Sequence, residues 1–536
     1  MTPLWSLPPS PTQVLAGIGG AIVVYFLGLW VYRLTLHPLA KYPGPFLYKL
    51  TDWSLIIQCY QGNRHLHHLR DHEKYGPIVR IGPNTLSFNT ETALNAIYGS
   101  KKVNVRKTGM YITMDAGAGA LSTHTEVDKE KHAYRRRVMS HAFSDNALRS
   151  AEPFILDNIN IFCNLMAPKE KGAWSEAKDM SQWCAWLGFD IMGDLAFGKR
   201  FRCLESEEHR YTSRTTITGS KFIYWFSYLP CAWLCRLFIT SPLLSLLFGQ
   251  MAKDLAHLVY YADEQVRIRT SELTKSEKSG EKTAPRKDSM HYIIEARDPE
   301  TGKSLTNQEL TADSMLLIGA GSDTVATSMA SCLFYLLHNP TVLKKVTTEV
   351  RSTFTSIADI RVGPKLTSCT YLQACLEEVL RITPPVPSHL PREVLPGGLG
   401  LDGEYIPAGT IVGVPAYSIH HNPTYYPDPW AFTPERWLVD PAGTGVTAAQ
   451  VELAQRAFCP FSLGSRGCIG KFLAYMEFKL FMAHLLYRFD IKEGEEKVGG
   501  GGKEGLERGR ERSDEFQMDD AFAVLRNGPM VRFRAV

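Results

Sequence analysis

The sequence predicts a mainly α-helical chain with small β-sheets (α+β), carried on an N-terminal transmembrane helix. Three observations predict this. From about residue 130 to 355 the apolar residues recur at helical spacing. Strand-like runs are short and few. Residues 14–32 carry no charge. The chain has 536 residues, 44% hydrophobic and 21% charged, which excludes a disordered or collagen-like protein. A net charge of +4 gives no reason to expect nucleic acid as a partner. The 11 cysteines are scattered without a C-x-x-C pair, and no N-x-S/T acceptor has a permitted middle residue. Both facts favour a cytosolic setting for most of the mass over a disulfide framework or zinc ribbon.

At ~1.5 Å per residue, residues 14–32 reach about 28 Å, the depth of a bilayer core. No Lys or Arg precedes them, whereas Arg33, His37 and Lys41 follow, so the positive-inside rule puts the rest of the chain in the cytoplasm. Tyr25, Trp30 and Tyr32 suit the membrane interface. A cleaved signal peptide would want a basic start and a shorter apolar run. Residues 1–35 therefore read as an anchor. Residues 36–50 follow as a stiff hinge, because Pro38, Pro43 and Pro45 cannot continue a helix. Residues 51–536 read as one domain.

Within that domain the pattern predicts helices over 124–143, 180–197, 311–337 and 372–382. The third stops before Asn339-Pro340 and the fourth at Pro384-Pro385. Strands are expected at 78–81, 85–88 and 410–414. Two stretches look loose: 271–287, rich in Lys, Glu and Ser, and a flexible insertion at about 493–514 containing Gly499 to Gly502. Residues 222–248 are very apolar but broken by Pro230, Arg236 and Pro242. They read either as a membrane-dipping surface or lid, or as a buried helix pair.

The chemistry concentrates in FSLGSRGCIG at 461–470. Gly464 and Gly467 permit tight backbone turns. Cys468 precedes an apolar helical run, where the helix dipole favours a thiolate. Gly470 leaves room for a flat group, and Arg466 supplies a cation suited to a carboxylate. A soft ligand, a flat space and a cation together suit a thiolate-ligated haem.

This segment resembles the haem-binding signature of the cytochrome P-450 monooxygenases, F-x-x-G-x-R-x-C-x-G, at every fixed position: Phe461, Gly464, Arg466, Cys468 and Gly470. Three other motifs resemble the family's. Glu378-Val-Leu-Arg381 has its acid and guanidinium on one helix face, and Arg436 of Pro434-Glu-Arg-Trp437 is the expected third member of that network. Ala320-Gly-Ser-Asp-Thr324 resembles the oxygen-activation motif. There Gly321 is expected to open room over the haem, and Asp323 and Thr324 to relay protons. In His132-Ala-Tyr-Arg-Arg136, Arg136 stands where the family places a propionate ligand, and His132 replaces its usual Trp. Arg392 resembles the other propionate-binding arginine. A Thr bonded to its i−4 carbonyl and a solvated basic face at 135–137 are the structural alternatives.

The resemblance implies the cytochrome P-450 fold and haem b with Cys468 as axial iron ligand. It implies electrons from NADPH through a membrane-bound NADPH–cytochrome P-450 reductase, with cytochrome b5 as an optional second donor. The implied reaction is hydroxylation or epoxidation of a lipophilic small molecule by an enzyme held in membrane lipid, single-pass in the endoplasmic reticulum and facing the cytosol. Resemblance to microsomal members of filamentous fungi points to secondary metabolite biosynthesis. Desaturation, oxidative coupling or rearrangement on the same fold is the alternative reading. A non-catalytic haem or scaffold protein is a more distant one. Expected substrate contacts lie at 108–125, near Phe222, around Leu317, at 386–389 and at 522–525. A basic face near Arg135, Arg136 and Lys471 is the expected reductase dock.

Overall fold

A computed structural model describes residues 11–100, 102–115, 119–229, 242–279, 286–440, 442, 445–494 and 499–536. An apolar helix, Pro11–Val31, runs on through one π turn, Tyr32–Leu36. The most apolar 18-residue window of Pro11–Leu36 has a mean hydropathy of 2.2 and none of it is buried in protein, as a membrane anchor requires. Asn307–His338 is also long and apolar enough to span a membrane, but 72% of its most apolar window is buried, so it is a core helix.

The proline stretch is docked rather than a free spacer. Leu39 and Tyr42 are buried. Arg33 reaches the Leu50 carbonyl, and Arg80 Nη1 donates to the Arg33 carbonyl at 2.8 Å. Lys41 and the Tyr42 hydroxyl both meet Glu404.

Behind it lies a five-stranded sheet in the order Ile78–Gly82, Thr85–Phe88, Ile411–Gly413, Arg392–Val394, Val105–Lys107. The Thr85–Phe88 and Ile411–Gly413 pair is parallel and the others antiparallel. A hairpin, Met518–Ala521 with Ala523–Arg526, reaches back towards the middle of the molecule. The core is helical. Met180–Phe197 lies along Asn307–His338, with Gly188 tight against Ser322. Lys471–Arg488 packs on the same core through Phe478, Phe481 and Leu485.

Local chemistry sets the helix limits. The helix expected at 311–337 begins four residues earlier, because Thr306 and Glu309 form a capping box. The helix expected from His124 starts only at Lys129. Asp128 accepts from the amides of Glu130 and Lys131, both at 2.9 Å, and so ends the preceding loop. His124 is thereby a loop residue. Residues 271–279, expected as a linker, continue the helix Pro242–Ser279. Of the apolar stretch 222–248, the part up to Ser227 closes the helix Arg210–Ser227, and residues 230–241 lie outside the described residues.

Residues 499–514, expected as flexible chain, are tied to the body. The Gln517 amide donates to the Gly500 carbonyl at 2.6 Å, and that of Gly502 to Arg512 at 2.7 Å. Arg510 pairs with Asp519 at 2.8 Å, and Arg512 stacks over Trp430 at 4.1 Å. Glycine here lets backbones touch: a Cβ on Gly501 would lie 2.2 Å from the Ser513 carbonyl oxygen.

Candidate active site

The 461–470 loop closes on itself through the Cys468 amide, which donates to the Phe461 carbonyl at 2.8 Å, and the Gly467 amide, which donates to Gly464 at 3.0 Å. Gly464 has φ +64°, and a Cβ there would stand 2.3 Å from the Tyr98 carbonyl oxygen, so only glycine serves. The Phe461 ring packs at 5.4 Å from Tyr475. Gly470 precedes the helix Lys471–Arg488, and a Cβ on it would meet only Phe143 at 3.6 Å and Cys468 Sγ at 4.0 Å. Of the nine described cysteines, Cys468 alone is exposed. Although Cys468 is open to solvent, the protein packed around it partly desolvates the thiol and pushes its pKa up, against the Gly470 amide, Arg136 and Lys471, which all lower it.

Around the cysteine stand several cations, with one buried acid, Glu126, near Arg466 and Lys107. Arg466 donates to the carbonyls of Glu126 at 2.6 Å and of Val127 and Asp128 at 3.2 Å. Arg136 Nη1 donates to the Gly467 carbonyl at 2.6 Å. Arg392 Nη1 donates to the Tyr111 hydroxyl at 3.2 Å and to the carbonyls of Pro391 and Leu390. Lys107, not singled out from sequence, joins them. None of these four takes part in an ion pair among the described residues, whereas their neighbours Arg135 and Arg137 are paired with Asp313 and Asp298. Burial and Arg392 bring Arg466 down to about 10. Burial, then Arg466 and Lys107, push His132 down to about 2, so His132 is neutral. It makes no side-chain hydrogen bond among the described residues. Buried cations of one sign need an anion. The donor set, one thiol and several cations, fits a flat, dianionic, iron-bearing group such as haem.

A Cβ on Gly321 would lie 2.6 Å from Met192 Sδ, so this glycine lets two helices approach. Thr324 Oγ1 donates to the Ala320 carbonyl at 2.7 Å, like six other Ser and Thr hydroxyls bonded to an i−4 carbonyl on this helix, but it is only half-buried. Asp323 is turned to another face. Its Oδ1 accepts from Arg526 Nη1 at 2.7 Å, and Arg526 also donates to Thr327 Oγ1 at 2.7 Å. The pair borders a cavity of about 480 Å³ shared with Arg210, Arg214, Glu207 and Trp186. Arg135 is buried against Asp313 at 2.7 Å, so it lies on no exposed docking face.

The Glu378 network is complete. Glu378 accepts from Arg381 Nη2 at 2.8 Å and Nε at 2.9 Å, and from Arg436 Nε at 3.0 Å. It also accepts from the Trp437 indole at 2.9 Å and the Thr433 amide at 3.0 Å, which the sequence did not indicate. Burial opposes its charge, but Arg381 and Arg436 outweigh it and hold the carboxyl below its usual range.

Of the expected substrate contacts, Phe522 sits at the hairpin tip with φ +76°, held by its amide on Asp520 Oδ1 at 3.1 Å. Its ring packs at 5.1 Å from His124 and 6.0 Å from Tyr224. Ser388 bonds Asp520, and His389 meets the buried Arg64 at 3.1 Å. Leu317 is buried, and residues 116–118 of the 108–125 loop lie outside the described residues.

The family model for cytochrome P-450 matches residues 43–499. The chain is 38% identical over 532 residues to cytochrome P-450 monooxygenase fscF of Fusarium equiseti, covering 98% of this chain and 97% of that one. It is 36% identical to the monooxygenase poxM of Penicillium oxalicum, over 98% and 96% of the two chains. It is 34% identical to the monooxygenase AKT7 of Alternaria alternata, over 96% and 97%. With one exposed cysteine in the signature loop, four unpaired cations beside it and this likeness along nearly its whole length, the chain belongs to the cytochrome P-450 monooxygenase family, whose members carry haem iron.

Proposed function

We propose that this protein is a membrane-anchored haem-thiolate monooxygenase that takes electrons from NADPH through a reductase and oxidises a lipophilic small molecule of fungal secondary metabolism. The observation that carries the reading is the exposed Cys468 just before Lys471–Arg488, with Arg136, which makes no ion pair among the described residues, bonded to the adjacent Gly467 carbonyl. The bound haem would supply dioxygen binding and oxygen transfer. The chain supplies the rest. Cys468 would hold the iron, and Arg136, Arg392 and Arg466 would hold the group's carboxylates. The half-buried Thr324 hydroxyl is placed to hold a proton-bearing water. Asp323, held by Arg526, is the acid that can pass protons inward from the polar cavity. Phe522, His124 and Tyr224 wall the substrate space with aromatic surface, which favours an apolar substrate and excludes water. The anchor Pro11–Leu36 supports residence in the endoplasmic reticulum membrane.

The test is a reduced carbon monoxide difference spectrum on microsomes carrying the full chain or Cys468→Ala. A strongly red-shifted Soret band from the first and none from the second supports the reading. Haem-loaded, folded protein without that band overturns it.

A further inference from the structure

Phe522 is a bulky residue in the left-handed region, at φ +76°. It stands alone between Ala521 and Ala523, which pair with each other across the hairpin. Glycine adopts that conformation freely, whereas a large side chain keeps it only where the surroundings over-determine it. Those surroundings centre on Asp520. Its Oδ1 accepts from the Phe522 amide at 3.1 Å. Its Oδ2 accepts from the Ser388 hydroxyl and, at 3.3 Å, from the Tyr224 hydroxyl. The Asp520 amide donates to the Gly62 carbonyl at 2.7 Å, and the Val524 amide to the Pro385 carbonyl at 3.0 Å. The tip is thus tied on one side to the chain leading into the helix Arg64–Tyr75, and on the other to residues 385–388.

Behind the carboxyl lies Arg64, at 0% exposure like Asp520 itself. Its Nη1 donates to the hydroxyls of Tyr224 at 2.7 Å and Tyr228 at 2.8 Å, and its Nε to His68 Nε2 at 3.1 Å. The Tyr224 hydroxyl accepts from Arg64 and donates to Asp520, so it joins the two groups. Burial raises the Asp520 carboxyl above its ordinary range, against Arg64, Ser388, the Phe522 amide and Tyr224. A buried polar hub is stable only when its members are bonded to one another, and in return it holds them rigidly. What this one holds is a strained aromatic tip.

We propose that Asp520 is a positioning residue for the substrate: it locks Phe522 in its left-handed conformation and so sets the depth of that ring beside His124 and Tyr224, while Arg64, Tyr224 and Ser388 hold the carboxyl. Asp520 acts only through Phe522. The assignment rests on the reading above that Phe522 walls the substrate space.

The test uses two iron-binding azoles on full-length holoprotein, with the Soret shift as readout of the Kd. Imidazole is small enough to reach iron without pressing on the walls; clotrimazole is bulky and aromatic. Asp520→Ala removes the acceptor of the Phe522 amide, whereas Asp520→Asn removes the charge and keeps an oxygen for that amide. Asp520→Ala should weaken clotrimazole about tenfold and leave imidazole within about twofold. Asp520→Asn should stay near the parent with both. In a Phe522→Ala background, Asp520→Ala should change the clotrimazole Kd by less than about twofold, because the ring it positions is gone. Ser388→Ala, which takes one hydrogen bond from the carboxyl, carries the same cycle if Asp520→Ala does not fold. An unchanged clotrimazole Kd in the folded variant, an equal loss with both azoles, or a loss that persists without the Phe522 ring would each overturn the proposal. Phe522→Ala with parent-like clotrimazole binding would strike the reading of Phe522 as a wall, and a parent protein with no azole-induced Soret shift would strike the haem reading.

Discussion

Glu378 shows how much one buried residue can hold. It accepts five hydrogen bonds, from Arg381 and from the segment 433–437, and its partners Arg381 and Arg436 also cap five backbone carbonyls between His420 and Ala431. Those carbonyls belong to the segment that leads into the cysteine loop. Glu378→Ala strands two guanidinium groups in the core, so we expect a loss of about 3–5 kcal/mol, read as a fall in thermal midpoint and in haem-loaded yield. Glu477 is the opposite case. It is fully buried on Lys471–Arg488, its Oε1 has no partner, and burial pushes its carboxyl up to about 8. The folded pKa lies above the unfolded one, so the neutral acid favours the fold. That contribution is complete below about pH 4.5 and is lost as pH rises through 8. Glu477→Gln stays neutral throughout. Its unfolding free energy should therefore gain on the parent's between pH 5 and pH 8, by an amount on the order of several kcal/mol at the upper end, read as a rising thermal midpoint relative to the parent. A constant difference across that range would show that Glu477 does not titrate with folding.

Among the elements, the crossing of Met180–Phe197 with Asn307–His338 decides the most. Gly188 and Gly321 bring the two helices together, with Ser322 and Met192 filling the space that side chains would need. Gly321→Ala should cost about 1–3 kcal/mol by overpacking. Combined with Met192→Ala, which vacates the contact, the two effects should be less than additive in thermal midpoint. An additive result would mean that Gly321 acts elsewhere. The 499–514 segment makes a second case. Its charges read as solvated, yet Arg510 is spent on Asp519, Glu507 and the Gly62 carbonyl. Trypsin should therefore cut after Arg508, which is exposed, well before it cuts after Arg510.

For the whole molecule, the boundary between anchor and body is set by packing. Pro11–Val31 touches no core, whereas Arg33, Leu39 and Tyr42 are bound into the sheet side of the protein. Removing residues 1–31 should move the protein from the membrane pellet to the supernatant with its thermal midpoint unchanged. Removing residues 1–45 should lower that midpoint as well, because it takes core side chains and the Lys41–Glu404 contact with it. Equal midpoints for the two truncations would mean that the proline segment contributes nothing to the fold.

The sequence by itself determined the local features: the charge-free anchor, the helix stopped by Asn339-Pro340, the face shared by Glu378 and Arg381, and the ordered Phe, Gly, Arg, Cys and Gly of the cysteine loop. These are legible because their physics is short-range. Bilayer depth, helical period, capping and turn geometry act over a few residues, and the resemblance to a family rests on motifs of the same length. Only the tertiary structure decided which way side chains spend their chemistry. It turned Gly321 to Met192, Asp323 to Arg526 and Arg135 to Asp313, and it set Lys107 opposite Arg392. It also bound the glycine run at 499–502 to the body. Each of these depends on a partner distant in the chain. Burial, which sets the cost of an unpaired charge or an extra methyl, is a property of the packed molecule and not of any segment within it.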